Sequence, residues 1–342
     1  MFVFRVDSSS EIGSGHVMRC LSLADCLSAL GNRCAFLCRP APGDLVEEIE
    51  RRSHTLVKMP SMALEPAMSE SADARATAEL ISHWRVDWLI VDHYGLGIAW
   101  ERAAAGIARN LLVIDDIGRD HACSLLLDQN YPNPVHDRYR GTLAESKLLI
   151  GPQYALLRAE FAASRAAALQ RRTGMLAHVL VSMGGADPGN ATAKALAGLQ
   201  GAWQEGWQVD VVIGAGNPHR EEVEAMCTRL PSAAIHVQTS KMAELMTTAD
   251  CAIGAGGSTT WERCCLGLPA LVSILSADQG PIAAAVAKAG AQSVLGWDED
   301  LSAADYARAI SALSPDRLMA ISASAAGICD GLGARRVAER LQ

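Results

Sequence analysis

Two glycines and a histidine just past the first apolar run are the residues best spaced for chemistry. Phe2-Val3-Phe4-Arg5-Val6 leads through Asp7 into Glu11-Ile12-Gly13-Ser14-Gly15-His16-Val17-Met18-Arg19-Cys20, and Leu21 to Leu27 continues with helical spacing. This reads as a strand, a glycine turn and a helix start. Glycines let the backbone approach a ligand closely, and free N–H groups at a helix N-terminus favour an anion. His16 stands on the rim, where an imidazole takes or gives a proton near neutral pH. The same residues also suit a plain tight turn with His16 capping the helix.

A second stretch repeats the device. Gly254-Ala255-Gly256-Gly257-Ser258-Thr259-Thr260-Trp261-Glu262 again follows an apolar run and opens a helix. Gly257, Ser258 and Thr259 offer N–H and O–H donors to a diphosphate. Glu262 falls about one turn into the helix, where a carboxylate can accept both hydroxyls of a ribose. The bland alternative is an N-cap with a helix-stabilising glutamate. Neither turn carries the Gly-Lys-Ser/Thr of a Walker loop, and the first lacks the full dinucleotide fingerprint. A third turn, Met183-Gly184-Gly185-Ala186-Asp187, and the Asp278-Gln279 loop are further candidates for the same crevice.

These turns need a frame, and the alternation of the chain provides it. Strands are expected at 2–6, 33–37, 55–58, 88–91, 111–114 and 125–127, with helices at 45–52, 71–84 and 98–109. The second half repeats the pattern, with strands at 178–182, 208–213, 234–237, 251–254 and 270–274. Nearly continuous apolar strands alternating with helices imply parallel sheets covered on both faces. Ligands bind beyond the carboxyl ends of such strands. Asp92-His93-Tyr94-Gly95 and Asp115-Asp116 fall at those ends beside His16. Each alone suits a loop or cap; three strand ends converging point to a site. The expectation is therefore an α/β chain of two Rossmann-like domains facing across a cleft that closes on substrate. Their expected bounds are 1–172 and 173–342, with the final helix able to pack back on the first domain. Residues 130–151, with Pro132 and Pro134, read as irregular. Arg158 beyond them is either a solvated helix charge or a phosphate ligand.

The chain has 342 residues, half of them hydrophobic and a fifth charged, which is a globular composition. A net charge of −8 argues against general binding to nucleic acid or anionic membranes. No run reaches the roughly 18 apolar residues of a membrane span, and no secretory signal is visible, so a cytoplasmic location is expected. Ten cysteines form no Cys-x-x-Cys pair and no zinc spacing, so they read as buried reduced thiols.

The ordered motifs resemble one family. Arg5-x-Asp7 with Ile12 to Cys20, Val91-Asp92-His93-Tyr94-Gly95, Tyr154-Ala155-Leu156-Leu157-Arg158-x-Glu160-Phe161, Met183-Gly184-Gly185-x-Asp187, the Ser258 to Glu262 helix start and the Gln279 loop are similar to those of PseG-type UDP-2,4-diacetamido-2,4,6-trideoxy-β-L-altropyranose hydrolases of pseudaminic acid biosynthesis. The resemblance implies a glycosyltransferase-B architecture, related to the MurG transferase, with water as acceptor. It implies that His16 is the base, that Tyr94 lies beside the sugar and that Glu262 binds the ribose. Where some members carry Asn-Gln, this chain has Asp278-Gln279.

The expected reaction is inverting hydrolysis of the UDP-sugar, with UDP held by Ser258, Thr259 and backbone N–H groups. Gly13, Ser14, Gly15 and His16 would then face the sugar and inner phosphate. Asp92, Arg158, Gly184, Gly185, Asp187, Gly257, Asp278 and Gln279 complete the expected binding set. Neither metal nor cofactor is called for; the partner is the small-molecule UDP-sugar, and no oligomeric state is implied. A UDP-sugar glycosyltransferase and a non-catalytic nucleotide-sugar sensor are the rival readings.

Overall fold

The computed structural model describes residues 1–60, 69–130, 139, 141–142 and 146–342. Pro132 and Pro134 lie outside the described residues. The chain forms two compact units, Met1–Leu156 with Leu332–Gln342, and Leu157–Gly331. Each is a parallel α/β sandwich.

In the first unit the elements run β1 (Phe2–Val6), α1 (Gly15–Ala29), β2 (Cys34–Cys38), α2 (Val46–Arg51), β3 (Thr55–Lys58) and α3 (Glu70–Ile81). They continue with β4 (Trp88–Asp92), α4 (Ile98–Ala103), β5 (Asn110–Ile114), β6 (Leu125–Asp128) and β7 (Lys147–Ile150). The sheet order is β3-β2-β1-β4-β5-β6-β7. Strand β1 is buried on both faces, as its nearly continuous apolar run requires: Phe2, Phe4 and Val6 pack in one core cluster and Val3 in another. Phe4 stacks on Phe36 of β2 with ring centroids 4.7 Å apart. The order reverses between β1 and β4, so the ligand crevice of such a sheet lies where Asp7, His16 and Asp92 are found.

The second unit comprises α5 (Ala159–Arg171), β8 (His178–Ser182), α6 (Ala191–Gly201), β9 (Gln208–Ile213), α7 (Arg220–Cys227), β10 (Ala233–Val237) and α8 (Met242–Thr248). Then come β11 (Cys251–Ala255), α9 (Thr259–Cys265), β12 (Ala270–Ile274), α10 (Gln279–Lys288), β13 (Ser293–Trp297), α11 (Ala303–Ser311) and α12 (Pro315–Ile328). Its order, β10-β9-β8-β11-β12-β13, repeats that of the first unit, with the reversal between β8 and β11. Both glycine turns of this unit therefore leave strands at the switch point.

Three expectations differ from the structure. The helix expected over 98–109 stops at Ala103, because the following turns end at Gly106 in a left-handed backbone (φ 86°). Strands β7 and β13 were not expected; Lys147–Ile150 carries only three apolar residues in a row, and Gly296 interrupts Ser293–Trp297. The boundary lies at 156/157 rather than 172/173. Helix α5 belongs to the second unit because Arg165 donates to the carbonyls of Ala326 (2.7 Å) and Cys329 (3.0 Å), and Arg172 to those of Met246 and Leu266.

Helix α13 (Gly333–Arg340) returns to the first unit. Ala334, Val337, Ala338 and Leu341 join the core cluster of Leu21, Leu23 and Leu27. Gly333 seats it: a Cβ there would lie 2.3 Å from the Ala155 carbonyl oxygen, so no larger residue fits without backbone movement. Trp88 Nε1 donates to the Leu341 carbonyl at 2.9 Å.

Candidate active site

The first-unit site is built on His16 and Asp92. His16 stands in the first turn of α1 and Asp92 ends β4; His16 Nδ1 lies 2.6 Å from Asp92 Oδ1. A carboxylate on Nδ1 fixes the tautomer with the proton there and leaves Nε2 as the basic nitrogen. Among the described residues Nε2 has no hydrogen-bond partner. Arg19, one turn further along α1, clamps the same carboxylate, with Nε 2.6 Å from Oδ2 and a terminal nitrogen 2.7 Å from Oδ1. Burial alone would raise the Asp92 carboxyl, but Arg19 and His16 outweigh it and hold it well below the usual carboxylate range. Both Asp92 oxygens are therefore engaged within the unit, by His16 and Arg19.

Tyr94 closes the arrangement. Its hydroxyl donates to Asp116 Oδ1 at 2.7 Å, and Arg19 donates to the other oxygen of Asp116 at 2.7 Å. The edge of its ring meets the imidazole of His16, with centroids 4.6 Å apart and planes at 88°. Burial, with the Asp116 carboxylate beside it, pushes the phenol well above its ordinary value, so Tyr94 stays a neutral donor. The result is a ring of His16, Asp92, Arg19, Asp116 and Tyr94. Asp116 is one of the polar strand-end residues the sequence places beside His16, whereas Arg19 was not singled out from the sequence. The available signal was spacing: Arg19 is three residues after His16 and so shares its helix face.

A second histidine pair explains why His16, and not His93, has the free nitrogen. His93 Nε2 lies 3.3 Å from Asp7 Oδ2, while its Nδ1 accepts the Gly95 N–H at 2.9 Å. Both ring nitrogens are therefore occupied. Asp7 in turn is held by buried Arg5 at 2.7 Å and by the Arg39 N–H at 2.8 Å, and Arg5 also bridges to Asp73. Gly13 (φ 83°) turns the chain into α1, and neither Gly13 nor Gly15 has an atom within 4 Å of where a Cβ would stand. Ser14 precedes the helix without a side-chain cap, so its hydroxyl is not committed to α1.

In the second unit, β11 runs through Gly256 and Gly257 into α9, with Ser258 exposed at its start and Thr259 beside it. Arg158 and Glu262 are brought together, one terminal nitrogen of Arg158 lying 3.8 Å from Glu262 Oε1 and the other 3.0 Å from Glu160 Oε1. Arg158 also lies over the Phe161 ring at 5.1 Å. Burial pushes the Glu262 carboxyl up to about 7, against the pull of Arg158 and Arg263. A raised carboxyl held beside a guanidinium is the kind of perturbation that functional sites show. Arg263 braces the turn from behind, donating to the Ala255 carbonyl and the Thr260 hydroxyl at 3.0 Å each.

Two expected ligands of this unit have structural work. Asp187 caps α6, its two oxygens accepting the N–H groups of Ala191 and Thr192 at 2.9 Å each. Gln279 Oε1 accepts the N–H groups of Gly256 (3.2 Å) and Leu275 (3.1 Å), tying the two loops together. The carboxylate of Asp187 and the amide oxygen of Gln279 are thus engaged within the fold. Gly184 and Gly185 are exposed, with open space where a Cβ would stand, and Asp278 is exposed at the start of α10.

No family model matches the chain. An uncharacterised protein of Methanocaldococcus jannaschii is 25% identical over 288 residues, 78% of this chain and 54% of its own length. The UDP-2,4-diacetamido-2,4,6-trideoxy-beta-L-altropyranose hydrolase of Campylobacter jejuni is 32% identical over 163 residues, 46% of this chain and 52% of its own length. The chain thus spans about half the length of the curated relatives it matches. Among solved structures, MurG of Acinetobacter baumannii superposes with a TM-score of 0.73 at 14% identity, covering 100% of this chain and 99% of that one. WaaG, a glycosyltransferase of lipopolysaccharide biosynthesis, gives 0.58 at 17% identity, with 100% of both chains covered. With sheets of seven and six parallel strands, the chain has the glycosyltransferase-B type of fold that these structures show.

Proposed function

We propose that this chain is a nucleotide-sugar enzyme that hydrolyses a UDP-linked diacetamido trideoxyhexose to UDP and the free sugar. The observation that carries the reading is the His16–Asp92 pair, which leaves one imidazole nitrogen bare and basic. Similarity to the Campylobacter hydrolase supports the substrate class. In the proposed step a water loses a proton to His16 Nε2 as its oxygen bonds to the anomeric carbon. The bond from that carbon to the UDP oxygen breaks on the opposite face, so configuration inverts. UDP leaves as a stabilised trianion, the bonding electron pair staying on its terminal phosphate oxygen, and takes no proton from a strong acid. The second unit holds the nucleotide, through the Gly257-Ser258-Thr259 turn, Arg158 and Glu262. Asp92 steadies the imidazolium that forms.

Reaction in oxygen-18 water tests the step. The label is expected in the sugar at its anomeric oxygen; label in UDP means attack at phosphorus and overturns the reading. A transferase with the same constellation is the second reading, favoured by the likeness in fold to WaaG. UDP release that needs an added acceptor sugar or lipid would select it.

Glu262 gives a second prediction. Because its carboxyl is raised to about 7, uridine affinity is expected to rise with pH through that value as the carboxylate forms. Glu262→Gln is expected to weaken uridine binding about tenfold at pH 8 and to flatten the pH dependence, by calorimetry. An unchanged profile rules out the ribose contact.

A further inference from the structure

Beside the candidate site His121, Glu101 and Asp115 are buried together and have no direct part in the proposed step. His121 Nδ1 is 2.6 Å from Glu101 Oε1 of α4, and its Nε2 faces Asp115 Oδ1 at 3.6 Å. Both carboxylates do further work. Glu101 accepts the Ala122 N–H. Asp115 accepts Nε of Arg119 at 2.8 Å and the Gly118 N–H at 2.7 Å. Arg119 then reaches forward, donating to the carbonyls of Tyr94 at 2.7 Å and Leu96 at 3.2 Å. Those carbonyls belong to the loop that carries Tyr94, and Asp115 is followed directly by Asp116, the acceptor of the Tyr94 hydroxyl.

We propose that His121 is a positioning residue. Bridging Glu101 and Asp115, it holds Arg119 and the end of β5 where they fix Tyr94 and Asp116 against His16. The proposal rests on reading His16 as the base. Two carboxylates, one guanidinium and one imidazolium make the cluster neutral. Cys123 and Tyr139 are the other titratable groups around it; the Tyr139 hydroxyl donates to Asp128 at 2.8 Å and to the Asp115 carbonyl at 3.1 Å. Burial would discharge His121, but Asp115 and Glu101 prevail and raise it to about 9. The sign follows from linkage. A histidine raised in the folded state stabilises fully below its ordinary value of about 6.5 and loses that contribution as pH climbs through about 9. Deprotonation leaves two buried carboxylates facing one guanidinium, and the clamp on the Tyr94 loop slackens.

The test uses the full chain and two variants, His121→Gln and Glu101→Gln, the second giving the same readouts if the first does not fold. In His121→Gln, kcat is expected to fall about 10- to 100-fold with KM within about twofold, the split expected when geometry rather than binding is lost. Wild-type kcat should decline along an alkaline limb near pH 9. That limb should be missing in His121→Gln and displaced to lower pH in Glu101→Gln. Independently, nitrogen-15 spectra should show wild-type His121 as a cation to about pH 9, and the His16 and Tyr94 ring signals should move in both variants at pH 7. A folded variant with unchanged kcat and unmoved His16 and Tyr94 signals overturns the proposal. If wild type releases no UDP from any UDP-sugar, the functional reading has failed; the ring signals then decide positioning alone, supporting it if they move and overturning it if they do not.

Discussion

His16→Ala is expected to lower kcat about a thousandfold, within the range of about 10² to 10⁴ that removal of a general base costs, while leaving KM for the UDP-sugar little changed. Stability should change far less than rate. The side chain is only slightly exposed, but the carboxylate it leaves behind keeps both bonds from Arg19, at 2.6 and 2.7 Å, so no buried charge is orphaned. Steady-state UDP release with a matched thermal melt checks both halves. A folded His16→Ala enzyme with near-normal turnover would falsify the assignment of the base.

Asp92→Asn is expected to be at least as damaging, and in a different way. The amide can present its NH₂ to His16 Nδ1, which drives the imidazole proton to Nε2 and removes the lone pair the water needs. A wrong tautomer of this kind costs up to about 10⁴ in kcat where it has been built into a histidine–carboxylate pair. Here the same change also strips a fully buried carboxylate from Arg19, which retains only Asp116, so the melting temperature should fall as well. The pH dependence separates the two effects. Asp92 is depressed in the folded state, so its stabilisation is present above the ordinary carboxylate range and disappears as pH falls toward the depressed value. The asparagine variant should lose that acid-side slope. Nitrogen-15 spectra of His16 at pH 8 should show the proton moved from Nδ1 to Nε2; a wild-type pattern sinks the tautomer argument even if activity is low.

Much of this frame was legible in the sequence because parallel α/β strands announce themselves. Phe2 to Phe4, Leu89 to Val91 and Val179 to Val181 are unbroken apolar runs. What escaped were elements that are short or half-exposed, such as Lys147–Ile150, where Leu148 faces outward. The boundary escaped too. No composition change marks residue 157, and what assigns α5 is the set of carbonyls that Arg165 and Arg172 reach more than 70 residues away. In the candidate site, the glycine turns and the strand ends drew attention to His16, Asp92, Tyr94 and Glu262. They did not tell ligands from braces. Asp187 and Gln279 look like ligand residues by type and position, yet their oxygens are occupied by backbone N–H groups that only the folded loops bring near. Arg19 was passed over for the opposite reason, since an arginine on a helix is usually solvated.

The seating of α13 has a bearing on how the polypeptide is made. The first unit lacks Val337, Ala338 and Leu341 from its core until the entire second unit has been synthesised, and the Trp88–Leu341 bond closes a loop of 253 residues. The second unit is one continuous segment, Leu157 to Gly331. During translation, therefore, the strands made first wait longest for their last partner, while those made later can consolidate before release from the ribosome. Nascent chains halted before residue 332 should protect the second sheet from proteolysis and leave the histidine-bearing half open to it.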